Sequence, residues 1–284
     1  MNHPSSALVL GGGGSAGNAW SIGVLAGLGL DFSEADLTIG TSAGSTVAAQ
    51  LAGTAAAELF ADVINAPVPP PARGRPLGDH LERLARMVDA SADVADYRRR
   101  AGAAALELPG SSDAATQAQW RATVASRLSG THWPSWALGL TAVDAHTGEP
   151  VVFTRDSGVE LVDAVAASCA GSFAYGIGAA HYIDGGYRTN ADNADLAAGY
   201  ARVLVLSPLG GRSLHPAAWG THLDTQVREL RATGSVVETV LPDTASLAAF
   251  GDNMMDYSTR PASAQAGFDQ GRALADGLSA LWRE

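Results

Sequence analysis

Short apolar runs that end at glycines alternate with stretches of helical spacing at the start of the chain. The run ALVL (Ala7–Leu10) stops at four glycines and predicts a buried parallel strand. Apolar residues then recur at helical spacing between positions 20 and 28, and the segment DLTIG predicts a second strand that ends at Gly40. A helix is predicted over Ser45–Leu51. This order of strand, turn and helix, repeated once, predicts an α/β fold with a parallel sheet.

The middle of the chain, at about 65–130, predicts a helical elaboration. The segment NAPVPPPARGRP (Asn65–Pro76) is too rich in proline for regular structure and predicts a linker or loop. Amphipathic stretches at Leu77–Ala90 and Asp113–Leu128 predict two helices, the second with a capping signal in the serines at 111–112. We expect these helices to pack over one side of the core, as a cap above a site.

The rest of the chain returns to short strands and helices. The turn AHTGE joins two apolar runs and predicts a hairpin, and a further apolar run, HYID, stops at Asp184. The remaining predicted elements are strands at Trp136–Asp144, Pro150–Arg155, Arg202–Pro208 and Ser235–Pro242, and helices at Val159–Ala167, Thr221–Arg231 and Ala262–Leu281. With no internal repeat, these elements predict a single domain over residues 1–284.

Composition and charge narrow the classes of function. Of the 284 residues, 46% are hydrophobic and 17% are charged, which is typical of a globular protein. The net charge of −11 argues against a nucleic-acid partner and against electrostatic docking on an anionic membrane. Cys169 is the one cysteine, which excludes an intrachain disulfide and a metal site built from several cysteines.

The segment Pro4–Leu30 carries no charge, but it does not read as a targeting sequence or a membrane span. No lysine or arginine precedes it, and Gly11–Gly14 and Asn18 interrupt its apolar residues. A buried strand, a turn and a helix explain it better. We therefore expect a cytoplasmic protein.

A serine between two glycines is the first candidate for chemistry. The motif GTSAG places Ser42 between Gly40 and Gly44, after a predicted strand and before a predicted helix. A sharp strand-to-helix turn of this kind exposes a serine hydroxyl at its apex, and the glycines avoid a clash between strand and helix. A loop of glycine and serine without catalytic function is the alternative.

A second turn, GGGGSAG (Gly11–Gly17), also lies between a strand and a helix and would expose backbone N–H groups to an anion. A dinucleotide or phosphate loop is one interpretation, but the second strand lacks the acidic residue of the former and the turn lacks the lysine of the latter. The other interpretation is an oxyanion hole for acyl transfer. Both turns follow neighbouring strands, so we expect them to face one crevice.

A serine nucleophile needs a base, and three residues are candidates. His215 and His222 follow the motif in the order that α/β-hydrolases use, although no loop signature distinguishes either. Asp184 ends a strand and precedes Gly185 and Gly186, which would let another backbone or a substrate approach its carboxylate. A carboxylate beside a serine can act as base without histidine. An ordinary Asp-Gly turn is the alternative for Asp184.

Two further groups of residues have open roles. Asn190, Asp192 and Asn193 follow the Asp-Gly-Gly turn and either fix its loop or cap it from the solvent. Cys169 lies in an apolar context, which favours a buried structural thiol over a nucleophile.

The ordered set of motifs resembles the patatin-like phospholipase family, in particular its bacterial members. GGGGSAG, GTSAG, the strand pair around AVDAHTGEPVVF, AVAASCAG and YIDGG follow one another in the family's order, over about residues 7–206. The resemblance implies an α/β fold with three layers, α/β/α, around a sheet that carries the Gly-x-Ser-x-Gly nucleophile elbow. It also implies hydrolysis of acyl esters, typically of lipids, with no metal or nucleotide cofactor.

The same resemblance implies the site residues. Ser42 matches the family's nucleophile, and Asp184 matches its partner in a Ser–Asp dyad. Gly12, Gly13 and Gly14 match the glycines whose N–H groups form the oxyanion hole.

Two departures from the family pattern concern the substrate. Members usually carry arginine or lysine just before the last glycine of the first motif, where this chain has Ala16. A cation there would support the oxyanion loop or meet a lipid phosphate, so the head group is left open. The segment GSFAYGIG replaces the usual proline-containing turn after AVAASCA, which changes the expected pocket wall.

A serine acyl hydrolase acting on lipid or carboxylic esters is therefore the predicted function. The alternative is a catalytically weak binding or scaffolding protein with the same fold, because Ala16 removes the usual cation. The sequence leaves four properties open: the acyl chain, the choice between ester and thioester, transient membrane contact and the oligomeric state.

Overall fold

A mixed sheet of eight strands forms the centre of the protein in a computed structural model, which describes residues 5–32, 35–68, 70 and 77–283. The strands are β1 (Ser6–Leu10), β2 (Leu37–Gly40), β3 (Leu138–Asp144), β4 (Pro150–Phe153), β5 (Tyr175–Ile177), β6 (Ala180–Asp184), β7 (Arg202–Leu206) and β8 (Val236–Val240). Their order in the sheet is β5-β6-β3-β2-β1-β7-β8, with β4 also paired to β3.

The strand directions divide the sheet into two parts. Strands β3, β2, β1, β7 and β8 are parallel, as the alternation of strands and helices predicts. Strands β4 and β6 each pair antiparallel with β3, and β5 pairs antiparallel with β6. The predicted β3–β4 hairpin is confirmed. The carboxyl ends of β1 and β2 lie side by side because Leu10 pairs with Gly40. The glycine-rich turns that follow these strands therefore begin at the same edge.

Both faces of the sheet are covered, which gives the α/β/α layers. Strand β1 shows why, because all five of its residues are buried. Leu8 and Leu10 pack in the cluster that includes helix α1 (Gly14–Leu28), whereas Ala7 and Val9 pack in the cluster that includes helix α8 (Leu223–Ala232). Alternate side chains of a strand face opposite sides, so a continuous apolar run marks a strand buried between two layers.

The described residues contain eight further helices. They are α2 (Ala43–Leu51), α3 (Ala56–Asn65), α4 (Leu77–Asp89), α5 (Val94–Leu106), α6 (Ala114–Ala125), α7 (Leu161–Ser168), α9 (Thr244–Phe250) and α10 (Arg260–Arg283). Helices α4 and α6 confirm the two predicted helices of the middle segment. Helices α3, α5 and α9 and strand β5 are additional to the predictions. Of the predicted proline-rich linker, residues 69 and 71–76 lie outside the described residues.

The capping prediction for α6 is wrong. Asp113, not either serine at 111–112, is the N-cap, because its carboxylate accepts a hydrogen bond of 3.0 Å from the N–H of Thr116. The Ser111 hydroxyl instead donates to the carbonyl of Ala105 at 2.7 Å and accepts from the N–H of Ala174 at 2.8 Å. Ser111 therefore joins α5 to the segment before β5.

No single helix in the described residues is long and apolar enough to cross a membrane. Helices α2 and α3 pass the length and composition test only as a pair, and they are bent by 118° relative to each other.

Helices α1 and α10 approach each other closely along a stripe of glycines. The stripe consists of Gly23 and Gly27 on α1 and Gly267 and Gly271 on α10. A Cβ atom at any of these positions would overlap a backbone carbonyl of the facing helix. The layer that covers α1 therefore depends on the absence of side chains at this contact.

Two glycine-to-alanine substitutions on α10 test this contact. A methyl group at Gly267 would overlap the carbonyl of Trp20, whereas one at the exposed Gly277 meets no atom within 4 Å. We expect Gly267→Ala to lower the free energy of unfolding by about 1–3 kcal/mol. We expect Gly277→Ala to raise it by about 0.5–1 kcal/mol, since alanine favours a helix interior. Urea denaturation measures both, and equal effects of the two variants would contradict the packing argument.

Candidate active site

The two glycine-rich turns lie against each other at the ends of β1 and β2. The N–H of Thr41 donates to the carbonyl of Leu10 at 3.0 Å, and a Cβ atom on Gly44 would overlap that same carbonyl. On the other side of the contact, a Cβ atom on Gly12 would lie 3.3 Å from the Cβ of Ser42. The two turns therefore meet at one edge of the sheet, and glycine at position 44 is needed for this approach.

Ser42 lies at the apex of the second turn in a strained conformation. Its φ of 52° and ψ of −116° are unusual for a residue with a side chain. Hydrogen bonds hold the strained peptide on both sides. Its N–H donates to the Ser168 hydroxyl at 3.0 Å, and its carbonyl accepts from the N–H of Ser45 at 2.9 Å and the Cys169 thiol at 3.0 Å. The side chain of Ser42 is half-buried.

Asp184 is the group that the Ser42 side chain meets. It ends β6, where its N–H donates to the carbonyl of Ala170 at 3.0 Å. Its carboxylate accepts a hydrogen bond from the N–H of Gly186 at 2.8 Å, and the Ser42 side chain lies close enough to affect its pKa. Burial raises the pKa of Asp184 to about 6, against the lowering effects of Ser42 and Gly186. A carboxylate of this pKa can accept a proton near neutral pH.

Both candidate histidines lie in a different place. The Nδ1 of His215 is 2.9 Å from the hydroxyl of Thr221, and the Nε2 of His222 is 2.7 Å from the carbonyl of His215. Burial and then the neighbouring His222 lower the pKa of His215 to about 4. Neither ring hydrogen-bonds Ser42 within the part of the chain that the structure describes. The geometry thus offers Asp184 and not histidine to the serine.

Two of the four glycines at the start of the glycine loop use their N–H groups in hydrogen bonds within the protein. The N–H of Gly11 donates to the carbonyl of Leu206 at 2.9 Å, and the N–H of Gly12 donates to the carbonyl of Ala191 at 2.8 Å. The N–H groups of Gly13 and Gly14 have no acceptor among the described residues. Gly12 therefore supports the loop in this structure, and the two glycines after it carry the unused donors.

A buried amide, Asn193, joins the turns of the site. Its Nδ2 donates to the hydroxyl of Thr41 at 3.0 Å and to the carbonyl of Gly185 at 3.0 Å. The hydroxyl of Thr141 donates to Thr41 at 2.9 Å and completes the group. All three side chains are fully buried, so these hydrogen bonds tie the turn of Ser42 to the turn of Asp184. Asn193 fixes the loop, and solvent capping is excluded for it.

Asp192 is buried behind the glycine loop. Only 1% of it is exposed, and its Oδ1 occupies the space that a Cβ atom on Gly11 would need. A hydrogen bond from Ser207 lowers its pKa, but burial is the larger effect and raises the pKa to about 7. Asn190, also buried, accepts the N–H groups of Asp192 and Asn193 at 2.7 Å each. This segment is thus an internal support for the loop.

Cys169 is placed as a structural thiol. Besides its contact with the carbonyl of Ser42, its sulfur lies 3.5 Å from the hydroxyl of Ser45 and 3.6 Å from that of Thr46. Burial raises the pKa of the thiol to about 11, so no thiolate is available at neutral pH. Across the described ranges, no group of three or more His, Cys, Asp or Glu side chains could hold a metal ion.

Comparison with known proteins decides the family. The family model of the patatin-like phospholipases matches residues 8–197, which include both turns, Ser42 and Asp184. The chain belongs to the patatin-like phospholipase family. The mixed sheet of this patatin-like protein and its flanking helices confirm the predicted α/β/α fold.

Other comparisons are more distant. Among solved structures, the type III effector protein ExoU matches with a TM-score of 0.32 and 13% sequence identity, over 95% of this chain and 54% of that chain. The patatin-like protein thus spans about half the length of ExoU. No curated protein matches the sequence.

The buried carboxyl of Asp192 predicts a pH dependence of stability. Its pKa is about 7 in the folded protein and about 4 in an unfolded chain, so the folded state retains a proton that the unfolded state has lost between these values. The free energy of unfolding therefore falls as the pH rises from 4 to 7, on the order of 3 kcal/mol from this group. Asp192→Asn cannot ionise, and we expect it to flatten this part of the decrease.

Urea denaturation at pH 5 and pH 8 measures the difference between wild type and Asp192→Asn. The exposed Asp224, on α8, provides the control, because Asp224→Asn should keep the wild-type decrease. The same pH dependence in Asp192→Asn as in wild type would show that the carboxyl has an ordinary pKa.

Proposed function

We propose that this protein is a serine acyl hydrolase that cleaves lipid or other carboxylic esters, with Ser42 as nucleophile and Asp184 as its base. The observation that carries the proposal is the strained turn of Ser42 beside unused backbone donors, with a side chain close enough to the Asp184 carboxylate to lower its pKa. Membership of the patatin-like phospholipase family supports lipid acyl hydrolysis as the class of reaction.

In the proposed reaction, Asp184 accepts the hydroxyl proton of Ser42 as its oxygen attacks the ester carbonyl. The N–H groups of Gly13 and Gly14 stabilise the oxyanion of the tetrahedral intermediate. The intermediate collapses with loss of the alcohol, which takes the proton from Asp184, and leaves an acyl-Ser42 ester. Asp184 then accepts a proton from the water that attacks that ester, and it returns this proton to the Ser42 oxygen as the carboxylic acid leaves. Atoms and protons balance over the two steps, and Asp184 returns to its ionised form.

A cavity next to Asp184 supports an apolar substrate group. Ala170 and Gly171, which lie beside the carboxylate, form one wall, and helices α4 and α5 form the opposite wall. Its apolar lining includes Leu84, Met87, Ala101, Ala105, Leu108 and Ile183. With a volume of about 40 Å³, the cavity has room for a small apolar group only. In this proposal the helical segment covers that group of the substrate.

Predictions of domain organisation and location accompany this proposal. We propose a single patatin-like domain in which α4–α6 are the helical elaboration, and the cytoplasmic location stays a prediction.

The alternative of a catalytically weak binding protein rested on Ala16. That residue is fully buried, and its N–H donates to the carbonyl of Met254 at 2.9 Å, so the loop is supported without a cation at this position.

Removal of the Ser42 hydroxyl tests the nucleophile. We expect Ser42→Ala to lower kcat/KM for p-nitrophenyl esters by about 10³-fold or more, because no other group on the protein replaces the attacking oxygen. The exposed Ser126 is a matched control, and Ser126→Ala should keep the wild-type rate. A panel of acyl chains from acetate to palmitate gives the preferred length at the same time. Turnover retained by Ser42→Ala would refute the assignment.

Ionisation of Asp184 predicts the pH profile. The proposed base must be deprotonated, and its pKa is about 6. We therefore expect kcat/KM for an uncharged ester to be constant above that pH and to fall about tenfold per pH unit below it. The profile is best measured in wild type and in Asp192→Asn, because the latter removes the other buried carboxyl. Loss of the acid limb in Asp192→Asn, or its absence in wild type, would assign the base elsewhere.

A further inference from the structure

Two arginines and a tyrosine form a cationic cluster beside the candidate site. The ring of Tyr257 lies between the guanidinium groups of Arg127 and Arg260, at 5.6 and 5.8 Å from its centroid. Arg127 also lies over the ring of Trp120 at 5.5 Å. The aromatic faces hold the planar guanidinium groups in place without neutralising them.

The positive charge of this cluster has no carboxylate counterion among the described residues. Neither arginine is in an ion pair there, although Arg121 and Arg188 are both paired with aspartates. Arg260 donates to the carbonyl of Ser15 at 3.2 Å and to Oδ1 of Asn18 at 2.9 Å. The guanidinium of Arg127 donates no hydrogen bond to any described residue, so its donors are unused. Such a cluster is unusual in a chain of net charge −11.

The cluster is connected to both turns of the site. Ser15 directly follows Gly14 of the glycine loop, and the side-chain amide of Asn18 donates to the carbonyl of Ala43 at 3.4 Å, one residue after Ser42. On the other side, the charge of Arg127 reaches Cys169, where burial dominates the raised pKa of the thiol and Arg127 opposes it. Arg260 is thus linked to the residues that follow the glycine loop and Ser42, and the charge of Arg127 acts on Cys169, whose thiol contacts the carbonyl of Ser42.

The surroundings of the cluster are apolar and exposed. Met255 is 59% exposed and Tyr257 is 40% exposed. The sulfur of Met255 lies against Gly14, since a Cβ atom on that glycine would be 2.7 Å from it. An entrance that combines exposed apolar side chains with unpaired cations suits an amphiphile with an anionic group.

We propose that Arg127 and Arg260, with Tyr257 between them, form a binding site for the phosphate group of a phospholipid substrate. This assignment rests on the proposed hydrolase function and names its substrate class. Arg127 is the binding group, because its donors are free. Arg260 adds charge and positions the start of α1 through Ser15 and Asn18. The cation that is missing at Ala16 is thus supplied by the segment after α6 and by the first residue of α10.

The test compares two esters that differ in the phosphate. Lysophosphatidic acid and monoacylglycerol with the same acyl chain are tested as substrates of wild type, Arg127→Gln, Arg127→Lys and the control Arg228→Gln, which is exposed on α8. We expect Arg127→Gln to lower kcat/KM about 10–100-fold for the phospholipid, since hydrogen bonds to a charged group are lost. The monoacylglycerol rate should change less than about twofold, Arg127→Lys should recover part of the loss and Arg228→Gln should match wild type.

Equal changes for both esters in Arg127→Gln, or no change for either, would overturn the phosphate site. Titration with inorganic phosphate by calorimetry separates the source of the anion. Binding of free phosphate that depends on Arg127, without discrimination between the esters, would assign the site to a free anion and overturn the head-group assignment.

The same titration keeps the site apart from the hydrolase proposal. If wild type hydrolyses neither these two esters nor the p-nitrophenyl esters, the proposed function fails. Phosphate binding that is lost in Arg127→Gln would then still support an anion site, and no binding in wild type would overturn it.

Discussion

The close approach of the first two turns is the constraint on which the rest of the site depends. Parallel pairing aligns the ends of β1 and β2, but their turns meet only because Gly44 has no side chain to overlap the carbonyl of Leu10. That contact brings Gly12 against Ser42 and leaves the next two N–H groups of the loop unused. The nucleophile position and the anion-binding position are thus consequences of one backbone contact. A larger residue at either turn would separate them.

Buried polar groups then hold the third turn to the first two. Asn193 bonds Thr41 and Gly185 in a fully buried place, where an unmade hydrogen bond costs about 1–3 kcal/mol. The same exclusion of water acts on the carboxyls nearby, so burial raises the pKa of both Asp184 and Asp192. Asp184 differs because it lies beside the side chain of Ser42, whereas Asp192 lies behind the glycine loop. One buried network therefore explains both the rigidity of the site and the proton affinity of the candidate base.

The sequence predicts the parts of this arrangement that have a local cause. Continuous apolar runs mark the buried strands, and glycines mark the turns that need close approach, so the sheet and the turns that carry Ser42 and Asp184 are expected from the pattern. The pairing of these two residues, by contrast, is implied only by the family resemblance. Helix α5 is not expected from the pattern, because its run of arginines shows little apolar periodicity and it buries only Tyr97, Ala101 and Gly102. Thr141 gives no signal either, since a threonine in a strand is ordinary until its partner across 100 residues is known. A single sequence does not predict contacts between residues that are far apart along the chain.

The cation at the site illustrates this limit most clearly. In the sequence, Ala16 indicates the loss of a cation, because it replaces the usual basic residue of the first motif. Folding brings Arg260 to the carbonyl next to that position from 245 residues away, and Tyr257 brings Arg127 beside it. The effect of a charge on a substrate depends on its position in the folded protein and not on its position in a sequence motif. Loss of a motif residue is therefore weak evidence against a function until the neighbours that tertiary structure supplies are known.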